Sequence, residues 1–365
     1  MLVLCALSLT GCGSASAPDF SGVQFGPFAG YTWEGDVRQV GAIVAVPILS
    51  GIQKPGFAGT WIGAEGDFNL VTERAAFFQV GVNEVSGAEF TLPGASHYYA
   101  FWSSTALGFH PRLLFEVEPG DPVQLSIHVA DAHLVLYARD RNTGVHHTVR
   151  VALSAGDVFS VAAWHQEDVT DGETGTPYPY PTLSTVRFSA LTVDGHAPSM
   201  GRFATSWMST RSAIYGPVPH GSDGFNVRPI RPSAAALQYE RVAVPEDLAS
   251  YVFDAQLASW SSSTPASAIA AACHRYARAM TANVTRLRGF RWPAQVRVDI
   301  DRLITTSREE AVLARRLAAN PKSFLAQFKR ARIPALGAII RKKLHMAIFD
   351  PSAGSVASYV SAHSG

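Results

Sequence analysis

Between about Phe20 and Ile230 the apolar residues recur in short runs with a period of two, and after Pro245 they recur with the period of a helix. This change of period constrains the fold more than any other feature, because a chain that alternates cannot bury the same face when coiled. Gly41-Ala42-Ile43-Val44-Ala45-Val46, Val123-Gln124-Leu125-Ser126-Ile127-His128-Val129 and Thr148-Val149-Arg150-Val151-Ala152-Leu153 are representative strands. Turn signals such as Pro119-Gly120-Asp121-Pro122 and Arg141-Asn142-Thr143-Gly144 divide them. Many antiparallel strands with no helical stretch between them predict an all-β sandwich, followed by an all-α bundle.

The helical half is read from several starts. Thr264-Pro265 offers a cap before a proline at the first helical position, with Ile269, Cys273, Tyr276, Met280 and Leu287 on one stripe. Cys273 on that stripe is expected to be a core thiol. Trp292-Pro293 opens a second helix. Ser307 and Glu310 have capping-box spacing for a third. Pro321 starts a short helix with Phe324, Leu325 and Phe328, and Leu336 to Phe349 forms the last. The expected organisation is an export signal over 1–17, a β-sandwich over 18–230 and a proline-containing linker over 231–245. A basic helical bundle over 246–350 and a tail over 351–365 complete it.

Charge divides the same way. From Glu246 onward there are 17 Lys and Arg against 8 Asp and Glu, whereas the rest is acidic. The basic residues Arg330, Arg332, Arg341, Lys342 and Lys343 would suit an anionic lipid surface, or simply form a solvated face or one packed on the acidic sandwich. Leu2 to Leu9 is too short an apolar run to span a membrane and fits a secretory signal. Leu9-Thr10-Gly11-Cys12 resembles the bacterial lipobox, which implies cleavage before Cys12 and lipid on its sulfur. Cleavage after Ala15-Ser16-Ala17 is the rival. Either implies export, to the cell envelope or the medium. Only Cys273 lies outside this region, so no internal disulfide framework is available.

Two strands carry candidate chemistry. In Ala76-Phe77-Phe78-Gln79-Val80-Gly81-Val82, Gln79 shares a face with Phe77 and Gly81. In Ala162-Ala163-Trp164-His165-Gln166-Glu167-Asp168, Glu167 shares a face with Ala163 and His165. Taken singly, Gln79 is a glutamine on a solvated face and Glu167 a strand-end carboxylate beside a turn.

Taken in order, the segments resemble the glutamic peptidases, the eqolisin or G1 family. Gly30-Tyr31, Val46-Pro47 and Trp61-Ile62-Gly63-Ala64-Glu65-Gly66-Asp67 are similar to that family's early strands. Phe78-Gln79-Val80-Gly81-Val82 matches the strand bearing its catalytic glutamine. Tyr98-Tyr99-Ala100-Phe101-Trp102 matches its aromatic strand, and Glu167-Asp168 its catalytic Glu-Asp pair. The resemblance covers residues 20–230. This chain departs from the family at Ser103, Phe28, Phe101 and Glu65, and at the polar pair His165-Gln166. The helical part resembles helical regions of uncharacterised actinobacterial lipoproteins, which implies no activity.

The resemblance implies an acid endopeptidase acting on a polypeptide substrate, with Gln79 and Glu167 as catalytic dyad. Phe28, Trp61, Glu65, Tyr99, Phe101, Ser103 and Asp168 would line the substrate cleft. Glu167 would take a proton from water and return it to the leaving nitrogen, while Gln79 holds the oxyanion. No cofactor, metal or nucleic-acid partner is implied; the membrane partner acts through lipid on Cys12. The alternative is a non-catalytic envelope lipoprotein binding peptide or glycan in the same groove.

Overall fold

A computed structural model describes residues 25–69, 74–87, 97–171, 177–199, 203–210, 213–261, 263–321 and 336–346. Cys12, the helix expected after Pro321, Arg330, Arg332 and the tail over 351–365 lie outside these residues. In chain order the strands begin with β1 Phe28–Glu34, β2 Gln39–Ala45, β3 Leu49–Ser50, β4 Gly56–Asn69, β5 Arg74–Ser86 and β6 Tyr98–Ser104. There follow β7 Arg112–Glu116, β8 Pro122–Ala130, β9 His133–Asp140, β10 His146–Ala152, β11 Phe159–Asp168 and β12 Thr182–Leu183. The last are β13 Val186–Val193, β14 Phe203–Ser206, β15 Met208–Ser209, β16 Ile214–Pro219 and β17 Phe225–Ile230.

A seven-stranded sheet of order β14-β1-β11-β4-β5-β6-β7 faces an eight-stranded sheet of order β10-β9-β8-β2-β13-β17-β16-β15. The ladders are antiparallel throughout. The core between the sheets is built from alternate residues of both, among them Ile62, Val80, Val82, Trp164, Val44, Leu125, Leu136 and Phe188. This is the sandwich that alternation predicts, since each strand gives one face to the core and leaves the other free. The free face of the seven-stranded sheet bears the candidate site.

The helices are α1 Ala234–Ser259, α2 Ala266–Arg288, α3 Ala294–Ala319 and α4 Leu336–Lys343. The expected linker over 231–245 is mostly helix. The Ser233 hydroxyl accepts from the Ala236 N–H at 3.1 Å and starts α1, which runs through Pro245. A proline in a helix interior costs about 3 kcal/mol. That cost is offset here by burial, because Ala236, Leu237, Tyr239, Val242 and Ala243 form one apolar cluster with Trp207 and Ile214 of the sandwich. The two halves therefore share a core. The helix start expected at Ser307 is absent: α3 is continuous there, with Ser307 buried and Glu310 accepting from the Tyr276 hydroxyl. The N-cap of α2 is Pro265, not Thr264, whose hydroxyl accepts instead from the Ser261 N–H. Cys273 is a buried core thiol. Arg341 does not lie on an open basic face. It is 3% exposed and pairs with Glu240 and Asp247 of α1, while Lys343 binds Asp299 at 2.5 Å.

Candidate active site

The site is a floor of aromatic rings on the free face of the seven-stranded sheet. Pairing register fixes which side chains reach it. Gln79 stands opposite Gly63 of β4 and Ser103 of β6, and Gly63 in turn stands opposite Ala163 of β11. Two residues along, Trp61 lies between Gly81 and His165. Two further along, Gly59 lies between Asn83 and Glu167. Directly paired residues share a face. Phe28, Trp61, Glu65, Gln79, Tyr99, Phe101, Ser103 and Glu167 are thus all on the free face. Asp168 is not: it stands opposite Ala58, points to the core side and is 7% exposed. A one-residue step along a strand reverses the side, so Glu167 and Asp168 cannot act from one cleft.

Gln79 and Glu167 belong to one sheet but not to neighbouring strands, because β4 separates them. They are also offset by four residues along the strands, about 10 Å across and about 13 Å along. Trp61 occupies the interval. Its ring leans over Gly63, where a Cβ would come within 2.9 Å of Cζ3 and within 3.0 Å of Phe77 Cζ. A side chain at 63 would displace the indole. Trp61, Phe101 and Ala163 form a small apolar cluster with Phe28, Phe77 and Leu113, separate from the main core.

Each polar group has a definite setting. Trp61 Nε1 donates to Glu167 Oε2 at 2.7 Å. Glu167 is half-buried, with Phe28 opposite it on β1 and the Trp61 indole against its carboxyl. Loss of hydration pushes its pKa up to about 7, and the Trp61 hydrogen bond pulls the other way. Gln79 is 7% exposed and donates through Nε2 to Ser103 Oγ at 2.8 Å. Tyr99 donates to Glu116 at 2.6 Å. His165 stacks on Phe28 at 5.4 Å and meets the Trp61 ring edge-on. Neither of its ring nitrogens has a hydrogen-bond partner among the described residues, and burial drives its pKa down to about 3, so it is neutral.

Beneath this floor, on the core side, lies a second polar group. Thr60 donates to Glu84 at 2.6 Å, and Gln166 reaches the other Glu84 oxygen at 3.5 Å. Burial lifts Glu84 to about 8, and Asp168 to about 7 with the Glu167 charge adding to the effect. The polarity of His165-Gln166 is thus explained twice over: one ring packs the cleft, and one amide joins the buried network. Alternation beyond Val82 would have placed Asn83 in the cleft as well. No residue type marks His165 as a packing ring until Phe28 and Trp61 are seen beside it.

The fold is that of a glutamic-type peptidase, an antiparallel two-sheet sandwich. The Peptidase A4 family model matches residues 26–210, just over half of the chain, and the chain belongs to that family. The match covers most of the sandwich and none of the helices. Among solved structures the chain is similar to scytalido-glutamic peptidase with a transition state analog inhibitor. Identity there is 17%, coverage 57% of this chain and 100% of that one, and the TM-score 0.46. It is also similar to SCP-B, a member of the eqolisin family of peptidases, in a complex with the tripeptide Ala-Ile-His. Identity is 18%, coverage again 57% and 100%, and the TM-score 0.44. No curated protein matches the chain.

Proposed function

We propose that the chain is an endopeptidase of the glutamic type in which Glu167 carries the proton. The observation that supports this most is Glu167 itself, a half-buried residue of the free face that stands opposite Phe28 and whose carboxyl is held by the Trp61 N–H. Ionised, it takes a proton from water as the water oxygen attacks the peptide carbon. Protonated, it returns that proton to the departing nitrogen. Gln79 completes the dyad by leaning over Trp61, exchanging Ser103 for the substrate and holding the developing oxyanion.

The pKa of about 7 bears on the working pH. Two pH units below it, about one part in a hundred of the carboxyl is ionised. The base role is therefore served closer to neutrality than the low pH expected from the resemblance. Polypeptide is the substrate class. Export and a lipid on Cys12 belong to the same proposal. Palmitate labelling of the intact chain that disappears in Cys12→Ala supports the anchor, and equal labelling of both excludes it.

The test is digestion of a denatured protein by the wild type and by Glu167→Gln, with thermal melts to verify folding. Internal cleavage that vanishes in a folded Glu167→Gln supports the proposal. Cleavage at the same rate in both overturns it.

A further inference from the structure

Asn83 sits four residues beyond Gln79 on β5 and points to the same free face, opposite Gly59, which is in turn opposite Glu167. It is 3% exposed, and its Nδ2 has no hydrogen-bond partner among the described residues. A buried amide N–H without a partner is unfavourable in any fold and calls for a reason. The side chain borders the strand between, with Oδ1 the atom of Asn83 found nearest Gly59. Gly59 has no side chain, so the row from Asn83 to Glu167 is interrupted by a slot. A Cβ placed on Gly59 would find Trp61 Cδ1 at 3.7 Å, Val169 Cγ2 at 3.7 Å and Asn83 Oδ1 at 3.8 Å. Trp61 and Val169 thus flank the slot along the strand direction, Asn83 closes one end, and the Glu167 ladder closes the other. The two Cα atoms are two strand spacings, roughly 10 Å, apart.

We propose that Asn83 is a second amide donor of the cleft, binding the carbonyl oxygen of the peptide bond attacked from Glu167 in the slot over Gly59. This rests on Glu167 as the proton-carrying group. The water oxygen bonds to the peptide carbon and gives its proton to Glu167. The carbonyl electron pair moves onto the oxygen, and Asn83 Nδ2 donates to it. On collapse the carbon–nitrogen bond breaks, and the Glu167 proton goes to nitrogen. A half-turn about the soft terminal torsion of Asn83 exchanges its oxygen and nitrogen and brings the N–H to the slot. Asn83 is level with Glu167 in the ladders, whereas Gln79 stands four residues back along β5, about 13 Å away.

Gly59→Ala is the sharpest test. Its methyl meets only ordinary contacts, so it fits the fold while filling the slot. The melting temperature should not fall, while cleavage should drop on the order of 100-fold. Asn83→Leu should lower kcat by a similar factor with little change in KM. Asn83→Asp places a second carboxyl beside Glu167 and should raise the Glu167 titration midpoint by about one pH unit, read on 13C-labelled glutamate. That last readout needs no catalysis and serves if Asn83→Leu fails to fold. Wild-type cleavage by Gly59→Ala, or an unmoved Glu167 midpoint in Asn83→Asp, overturns the proposal. If the wild type itself does not cleave, or Glu167→Gln cleaves equally, the peptidase reading fails and the donor role falls with it. The titration then still decides whether Asn83 and Glu167 face each other.

Discussion

The Trp61 indole N–H donates to Glu167 Oε2 at 2.7 Å, and the same ring fills the floor between Glu167 and Gln79. One side chain therefore orients the carboxyl and separates it from the amide. A hydrogen bond to the ionised form favours ionisation, so Trp61→Phe should raise the Glu167 pKa above about 7. The rise should be of order one pH unit, in keeping with hydrogen bonds to charged groups. The acid limb of the cleavage profile should move up by the same amount, with the fold retained. An unmoved limb would separate Trp61 from Glu167 ionisation.

Gln79 and Ser103 give opposite expectations. Gln79→Leu removes an oxyanion donor and should slow cleavage by roughly 100- to 1000-fold. Ser103→Ala removes only the acceptor that holds the amide back. It should cost about 1 kcal/mol of stability and leave cleavage equal or faster. Rates from both variants, each with its melt, decide the matter. A Gln79→Leu protein as fast as wild type would remove Gln79 from the chemistry.

Glu84 and Asp168 should favour the folded state in acid, while the buried neutral His165 opposes them below about pH 6.5. Burial raises Glu84 to about 8 and Asp168 to about 7, above ordinary carboxyl values. The folded state thus holds protons that the unfolded chain has released. The contribution is full below about pH 4, the unfolded range, and is lost as pH rises through 7 and 8. Melting temperature should fall over that window, by the equivalent of a few kcal/mol on the order of magnitude. Glu84→Gln keeps the shape without the proton and should flatten the fall. A melting temperature that rises from pH 5 to pH 8 would contradict this account.

Much of this was legible before the fold, because alternation is a local property. The parity of Gln79 with Phe77, and of Glu167 with His165, follows from strand geometry alone, and both hold in the ladders. The position of β4 between β5 and β11 was not legible, since it depends on pairings between distant segments. Asp168 went astray for a related reason: sequence adjacency to Glu167 reads as cooperation, whereas a strand turns neighbours to opposite faces. Pro245 reads as a break because propensity is local. The helix persists through it because its flanks are buried against Trp207 and Ile214, which no local pattern reveals.

Arg341 is the pin of the helical half. Its guanidinium, 3% exposed, binds Glu240 and Asp247, so Arg341→Met leaves two carboxylates without their cation. Removing one partner of such a buried set costs roughly 3–5 kcal/mol. The melt should lose that much stability, and hydrogen exchange should rise first in α1 and α4. A wild-type melt would show the cluster to be inessential.

The most direct measurement of the central claim is the pH dependence of cleavage of one peptide by the wild type and by Glu167→Gln. A wild-type rate that climbs with pH to a midpoint near 7, and its loss across the whole range in a folded Glu167→Gln, is the predicted result. A Glu167→Gln protein that cleaves with the wild-type profile would contradict it.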